Sequence, residues 1–141
     1  MIYKDSIPEM TDYRVLCDST QWPEFKGLGN AEFSQALNNS RFCVSVYDDS
    51  RLVGFGRVVT DGILYAAIYD VMVLPEYQGQ GIGTEVVRRL LNKCAQVKLG
   101  VVQLFAASGT ENFYHQLGFE RRPDDAPGMF YAGARTVKPD Q

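Results

Sequence analysis

Gln78-Gly79-Gln80-Gly81-Ile82-Gly83-Thr84 is the stretch of this chain best suited to hold a ligand. Three glycines at alternate positions keep side chains off the backbone, so its N–H groups can converge. The helix predicted to follow adds about half a positive charge at its N-terminus, and the natural guest is a phosphate or pyrophosphate. The glycines could instead serve only to turn the chain. Two side chains outside the loop could do chemistry. Asp70 is an ionisable residue within an apolar strand pattern, a costly placement unless it is paired or exposed at a site. It reads equally as a base or as a structural partner of an arginine such as Arg57. Tyr114 precedes His115, the only histidine, which on a short helix is expected to face solvent.

Two common phosphate cradles do not fit. A P-loop places a lysine after its last glycine, and here Thr84 follows Gly83. A dinucleotide fingerprint would require a third glycine where Thr84 stands, and it would open the fold rather than follow a run of antiparallel strands.

The segment Gln78-x-x-Gly81-x-Gly83 resembles the coenzyme A pyrophosphate signature of the GNAT superfamily of N-acetyltransferases. Its approach, Asp70-Val71-Met72-Val73-Leu74-Pro75-Glu76-Tyr77, is similar to that family's strand and turn before the loop. Downstream, Phe113-Tyr114-His115-Gln116-Leu117-Gly118-Phe119 resembles the family's "FY-three-residues-GF" segment. The likeness is specific over about residues 63–120 and weak before residue 40. It implies acetyl-coenzyme A as co-substrate and no metal. The backbone from Gln78 through Gly79, Gln80, Gly81, Ile82 and Gly83 to Thr84 would bind the pyrophosphate, and N–H groups of Val71, Met72 and Val73 would face the acetyl carbonyl. Many members carry an asparagine seven residues before the tyrosine. Here that position is Ala107, and Asn112 is a nearby substitute out of register.

On this resemblance the reaction is direct attack of a primary amine on a thioester. A lysine-like amine is about 3.4 pH units too basic at neutrality, so supplying its neutral form costs about 4.6 kcal/mol. Asp70 is the candidate base or water-relay member, through a raised pKa, a water chain or attraction of the cation. Tyr114 is the candidate general acid, because a phenol near 10 keeps its proton until a thiolate near 8.5 leaves. Phe113 and Leu117, at i and i+4, would face the core and turn Tyr114 aside. Trp22, Phe25, Tyr65, Tyr69 and Tyr131 could line an acceptor pocket or simply be core.

These residues need a frame. Pro8 to Cys17 is predicted as a first helix, and a second starts at Asn30 and runs through Leu37. Phe42–Tyr47, Leu52–Thr60 and Ile63–Leu74 read as a meander, with Asp61-Gly62 a two-residue hairpin turn. Ile82, Val86, Val87, Leu90, Leu91 and Cys94 form one apolar stripe on a helix that Gly100 ends. Val101–Ala106 reads as a strand buried on both faces and parallel to the strand before the helix. Ser108-Gly109-Thr110-Glu111 fits a capping box for a short helix to Leu117. Phe119-Glu120 and Met129–Tyr131 are predicted as final strands. The expectation is an α+β fold: a mixed, mostly antiparallel sheet of about six to seven strands with about four helices, in one domain over residues 1–141.

Composition allows a stable single-domain enzyme, and the mildly acidic balance is compatible with a cationic substrate. Net charge is −3 with 22% charged residues of mixed sign, which argues against nucleic acid. Cys17, Cys43 and Cys94 have no metal spacing and read as buried thiols. Without an apolar leader or a span of about 20 apolar residues, the expected location is the cytoplasm, away from membranes. The expected acceptor is a small-molecule amine such as a polyamine, arylalkylamine or amine drug. A protein N-terminus or lysine, or an acyl-coenzyme A sensor without chemistry, is the alternative. A homodimer is left open.

Overall fold

The computed structural model describes residues 1–133, which form the elements β1 (Ile2–Lys4), α1 (Met10–Thr20), α2 (Asn30–Asn38), β2 (Phe42–Asp48), β3 (Arg51–Thr60), β4 (Tyr65–Val73), α3 (Ile82–Gln96), β5 (Val101–Leu104) and α4 (Glu111–Gln116). Single 3₁₀ turns lie at Pro23–Phe25 and Pro75–Tyr77. The strands form one sheet in the order β1-β2-β3-β4-β5, antiparallel except for the parallel β4–β5 pair. The parallel crossover through α3 is as expected.

Alternation along β3 decides what lies on each face. Gly54 and Gly56 look toward α3: a Cβ on Gly54 would sit 3.1 Å from Ile82, and one on Gly56 only 2.7 Å from Val86. Phe55 and Arg57 look the other way, Phe55 onto Tyr13 of α1 and Arg57 onto the end of α2. The sheet is therefore covered by α3 on one face and by α1 and α2 on the other. The core fills both layers. Tyr13, Leu16 and Cys17 come from α1, Phe33 and Leu37 from α2, and Ile82, Val86, Val87, Leu90 and Cys94 from α3. The stripe predicted for α3 is the buried one, with Leu91 packed at its margin.

Several boundaries move. The described residues contain five strands rather than six to seven, because neither Phe119-Glu120 nor Met129–Tyr131 is paired with a neighbour. β5 is accordingly not doubly buried: Val101 is 41% exposed, and Phe105, just beyond its end, 64%. α1 begins after Pro8 and runs on to a left-handed Gln21. α2 starts at Asn30 as expected and is preceded by Gly29, whose N–H donates to the Glu32 carboxylate at 2.9 Å. α3 stops at Gln96, before a left-handed Lys98, and not at Gly100. Before α4, the Thr110 hydroxyl donates to the Ala107 carbonyl at 2.6 Å, so the expected capping box does not close. The β3–β4 connection is longer than two residues. The Asp61 carboxylate accepts from the N–H groups of Ile63, Leu64 and Tyr65, and with the Thr60 hydroxyl, which accepts from the Gly62 N–H at 3.0 Å, it builds the turn.

Candidate active site

β4 is the element on which the site is built. It pairs with β3 through Val73 but with β5 only from Tyr65 to Ile68. From Tyr69 to Val73 the strand has no neighbour on its β5 side among the described residues, and a wedge opens there between two parallel strands. Within the same stretch the β3 pairing slips. Arg57 faces Tyr69 and Phe55 faces Met72, so Asp70 and Val71 together oppose Gly56. Asp70 is left-handed, with φ 57°, as an irregular residue in such a bulge can be.

The glycine loop follows. Gly79 and Gly81 have φ of 78° and 85°, which side chains disfavour, and a Cβ at either would meet open space. Gly81 precedes α3 with no side-chain cap. Among the described residues, no carbonyl accepts the N–H groups of Gly79, Gln80, Gly81, Ile82, Gly83 or Thr84. Gln78 turns back, its amide donating to the Val73 carbonyl at 3.0 Å. Ile82 is buried in the core and offers only its backbone, while Gln80 is exposed. A row of unused amides at the start of a 15-residue helix is the arrangement that takes a pyrophosphate. The loop thus fits the diphosphate of coenzyme A.

α4 packs against the start of α3: a Cβ on Gly83 would lie 3.3 Å from the Phe113 ring and 3.8 Å from Val73. Phe113 in turn meets the Tyr114 ring edge-on at 4.9 Å, and Phe119 closes the other side at 5.8 Å. Burial alone pushes the Tyr114 phenol up to about 12. Its hydroxyl has no hydrogen-bond partner among the described residues and is not sealed from solvent. His115 is exposed, as expected, and so is Asn112 in the first turn of α4, whose side chain has no hydrogen-bond partner among the described residues.

Asp70 points to the α1–α2 face, away from α3. Its Oδ2 accepts from Arg57 Nε at 2.6 Å and from the Tyr13 hydroxyl at 3.3 Å. The pairing with Arg57 is the structural alternative the sequence left open. Both bonds reach one oxygen. Oδ1 has no partner among the described residues and stays accessible. Burial and then the Asp70 carboxylate push the Tyr13 phenol far above its ordinary value. Sequence reasoning missed Tyr13, since its spacing with Leu16 and Cys17 marks only a core stripe. Of the remaining candidates, Met72 is buried, Val71 and Val73 are half-buried on the α3 side, and Thr84 is half-buried. Trp22 and Phe25 line a cavity of about 350 Å³ with Cys17, Asp18, Gln21 and Lys26. Tyr65, Tyr69 and Tyr131 are exposed elsewhere.

Comparison with known proteins agrees with this geometry. The acetyltransferase (GNAT) family matches residues 7–119. A Glycine max protein named histone acetyltransferase TAP1 is 34% identical over 87% of this chain and 57% of its own length. A Pyropia yezoensis protein named uncharacterized N-acetyltransferase ycf52 is 35% identical over 92% of this chain and 76% of its own. The chain therefore spans little more than half of the soybean relative. A Staphylococcus aureus structure described as a probable acetyltransferase superposes with a TM-score of 0.81 at 28% identity, covering 92% of this chain and 97% of that one. The fold also recurs, with a TM-score of 0.65 at 23% identity over 84% of this chain and 73% of the other, in an aminoglycoside 6'-N-acetyltransferase complexed with coenzyme A. With the strand wedge, the glycine loop and the family match all falling on the same residues, this chain belongs to the acetyltransferase (GNAT) family.

Proposed function

We propose that this protein transfers an acetyl group from acetyl-coenzyme A to the primary amine of a small molecule, residues 1–141 acting as one catalytic domain. The observation that carries the reading is the row of unused amides from Gly79 to Thr84 at the mouth of the β4–β5 wedge. Bound acetyl-coenzyme A supplies the activated acetyl thioester. Backbone from Gly79 to Thr84 would grip its diphosphate, the Gln78 N–H being taken by the Pro75 carbonyl at 3.2 Å, and Asn112 in the first turn of α4 is proposed to assist. Backbone of Val71, Met72 and Val73 on the side that β5 leaves uncovered is the proposed donor to the acetyl oxygen, a kind of contact typically contributing about 3 kcal/mol.

Tyr114 holds a proton at its hydroxyl throughout the working pH range and is the proposed general acid. Asp70 offers Oδ1 to the incoming ammonium, or to a water leading from it. A small acceptor is favoured by the cavity beside Trp22 and Phe25, whose volume suits a compact amine. Its Cys17 thiol touches Tyr13, and Tyr13 touches Asp70. The name of the soybean relative supplies the second reading, a protein lysine acceptor. Three buried free cysteines suit a reducing compartment, the cytoplasm being the proposed one.

Calorimetry with acetyl-coenzyme A, then thiol release over a panel of amines and basic peptides, tests this. Binding followed by turnover on a small amine supports the proposal. Binding with no turnover on any acceptor would leave a sensor, and turnover on peptides alone would favour the second reading.

A further inference from the structure

We propose that Arg57 is a positioning residue for the transfer, orienting Asp70 and fastening the β4 bulge to the end of α2. The inference rests on the reading of Asp70 given above. Arg57 reaches β4, α2 and the turn just beyond α2 at once. Its Nε donates to Asp70 Oδ2 at 2.6 Å, and its terminal nitrogen donates to the Ala36 carbonyl at 3.2 Å and the Ser40 hydroxyl at 3.1 Å. The guanidinium thus spans from the bulge to the C-terminal end of α2. Its plane and forked donors allow this, and a lysine could satisfy only one end.

Two consequences follow from the choice of oxygen. Arg57 and Tyr13 approach Oδ2 from β3 and α1, which leaves the carboxylate one accessible oxygen, Oδ1, in a fixed direction. The same bond holds a left-handed residue in place, and a non-glycine residue there needs surrounding structure to maintain it. The bulge is where β4 parts from β5, so its shape sets the backbone of Val71–Val73. Both side chains are largely buried, 17% exposed for Arg57 and 13% for Asp70, so the contact is little screened. The other titratable groups facing Asp70 are Tyr13 and Cys17 from α1 and Cys43 from β2. All three are held in their neutral forms by burial, and Arg57 is the one cation among them.

The test compares Arg57→Met, Arg57→Lys, Tyr13→Phe and Asp70→Asn in the full chain. For each variant kcat and KM are measured against pH with an amine from the panel. In Arg57→Met kcat should fall at least tenfold, while KM for acetyl-coenzyme A stays within about threefold. Arg57→Lys keeps the charge and should recover only part of kcat, separating charge from geometry. Should Arg57→Met not fold, Arg57→Lys and Tyr13→Phe carry the comparison, the latter with a smaller loss. An unchanged kcat in folded Arg57 variants, with Asp70→Asn impaired, overturns this proposal and leaves acetyl transfer standing. Full activity in Asp70→Asn overturns both the role of Asp70 and that of Arg57.

Discussion

Gly83 and Phe113 meet across the first turn of α3, so closely that an added methyl would lie 3.3 Å from the ring. This contact joins the segment that would grip a diphosphate to the segment that carries the candidate acid, because Phe113 also buttresses Tyr114 at 4.9 Å. Gly83→Ala must push the ring by a few tenths of an ångström and Tyr114 with it. We expect kcat to fall and KM for acetyl-coenzyme A to rise, each several-fold, with the fold intact by circular dichroism. A change in KM alone would show that Phe113 yields without moving its neighbour.

Tyr114→Phe removes one oxygen from a half-buried ring held by Phe113 and Phe119. At least a tenfold loss in kcat is expected, since a positioned acid typically contributes about 10²–10⁴-fold. The dissociation constant for acetyl-coenzyme A should stay within twofold by calorimetry. Because burial disfavours the tyrosinate and lifts the group to about 12, the wild-type rate should not fall near pH 10. A descending limb at pH 10 that vanished in Tyr114→Phe would mean the phenol titrates unperturbed.

Gly56 stands opposite the bulge, and its missing side chain is what lets α3 approach. A methyl there would come 2.7 Å from Val86 and 3.0 Å from Leu90, both fully buried. Neither can move freely in a packed core, so Gly56→Ala should destabilise the protein by about 1–3 kcal/mol. Urea unfolding would measure this. A stability unchanged within error would mean that the helix lifts from the sheet at little cost, contrary to the packing described.

The sequence made some of this visible and hid the rest for physical reasons. The α3 stripe was legible because a helix packed on one sheet face repeats its apolar positions with the helical period. The loop was legible because alternating glycines before that stripe have few other uses. The bulge at Asp70 was not. Its only trace is a charged residue inside Tyr65–Val73, and the left-handed backbone there depends on β3, which is distant in the chain. Tyr13 was hidden inside an ordinary core stripe. The strands expected at Phe119-Glu120 and Met129–Tyr131 failed because apolar content shows that a segment could pair but not that a neighbouring edge receives it. The hairpin turn was misjudged because Asp61-Gly62 suits a tight turn, whereas the Asp61 carboxylate instead gathers three following amides.

The thiols provide a check on the core that is independent of activity. Cys17 is 2% exposed, and burial, opposed only in part by the Tyr13 hydroxyl, lifts it to about 12. Burial also raises Cys43 and Cys94. Since the thiolate is the reactive form, none of the three should react with a disulfide reagent at pH 8 until the protein is unfolded. Rapid labelling of Cys17 in the native protein would place α1 off the sheet and separate Tyr13 from Asp70.

Asp61 allows a sharper test, since its effect should depend on pH with a defined sign. Three backbone amides, from Ile63, Leu64 and Tyr65, favour its ionised form and hold the carboxyl below its ordinary value. The unfolded chain, with a value of about 3.9, then takes up a proton more readily than the folded one. The stabilisation is therefore complete above about pH 4 and is lost as pH falls through the lower folded value. Asp61→Ala should melt at a lower temperature than wild type at pH 7, and the gap should narrow by pH 3. The same loop delivers the Leu64 carbonyl to the Val101 N–H at 2.8 Å, where β5 begins to pair with β4. A loosened turn should thus also blur the register from which the wedge opens, seen as faster amide exchange in Val101–Leu104. A melting difference that stays constant from pH 7 to pH 3 would mean that the carboxylate is not what builds the turn.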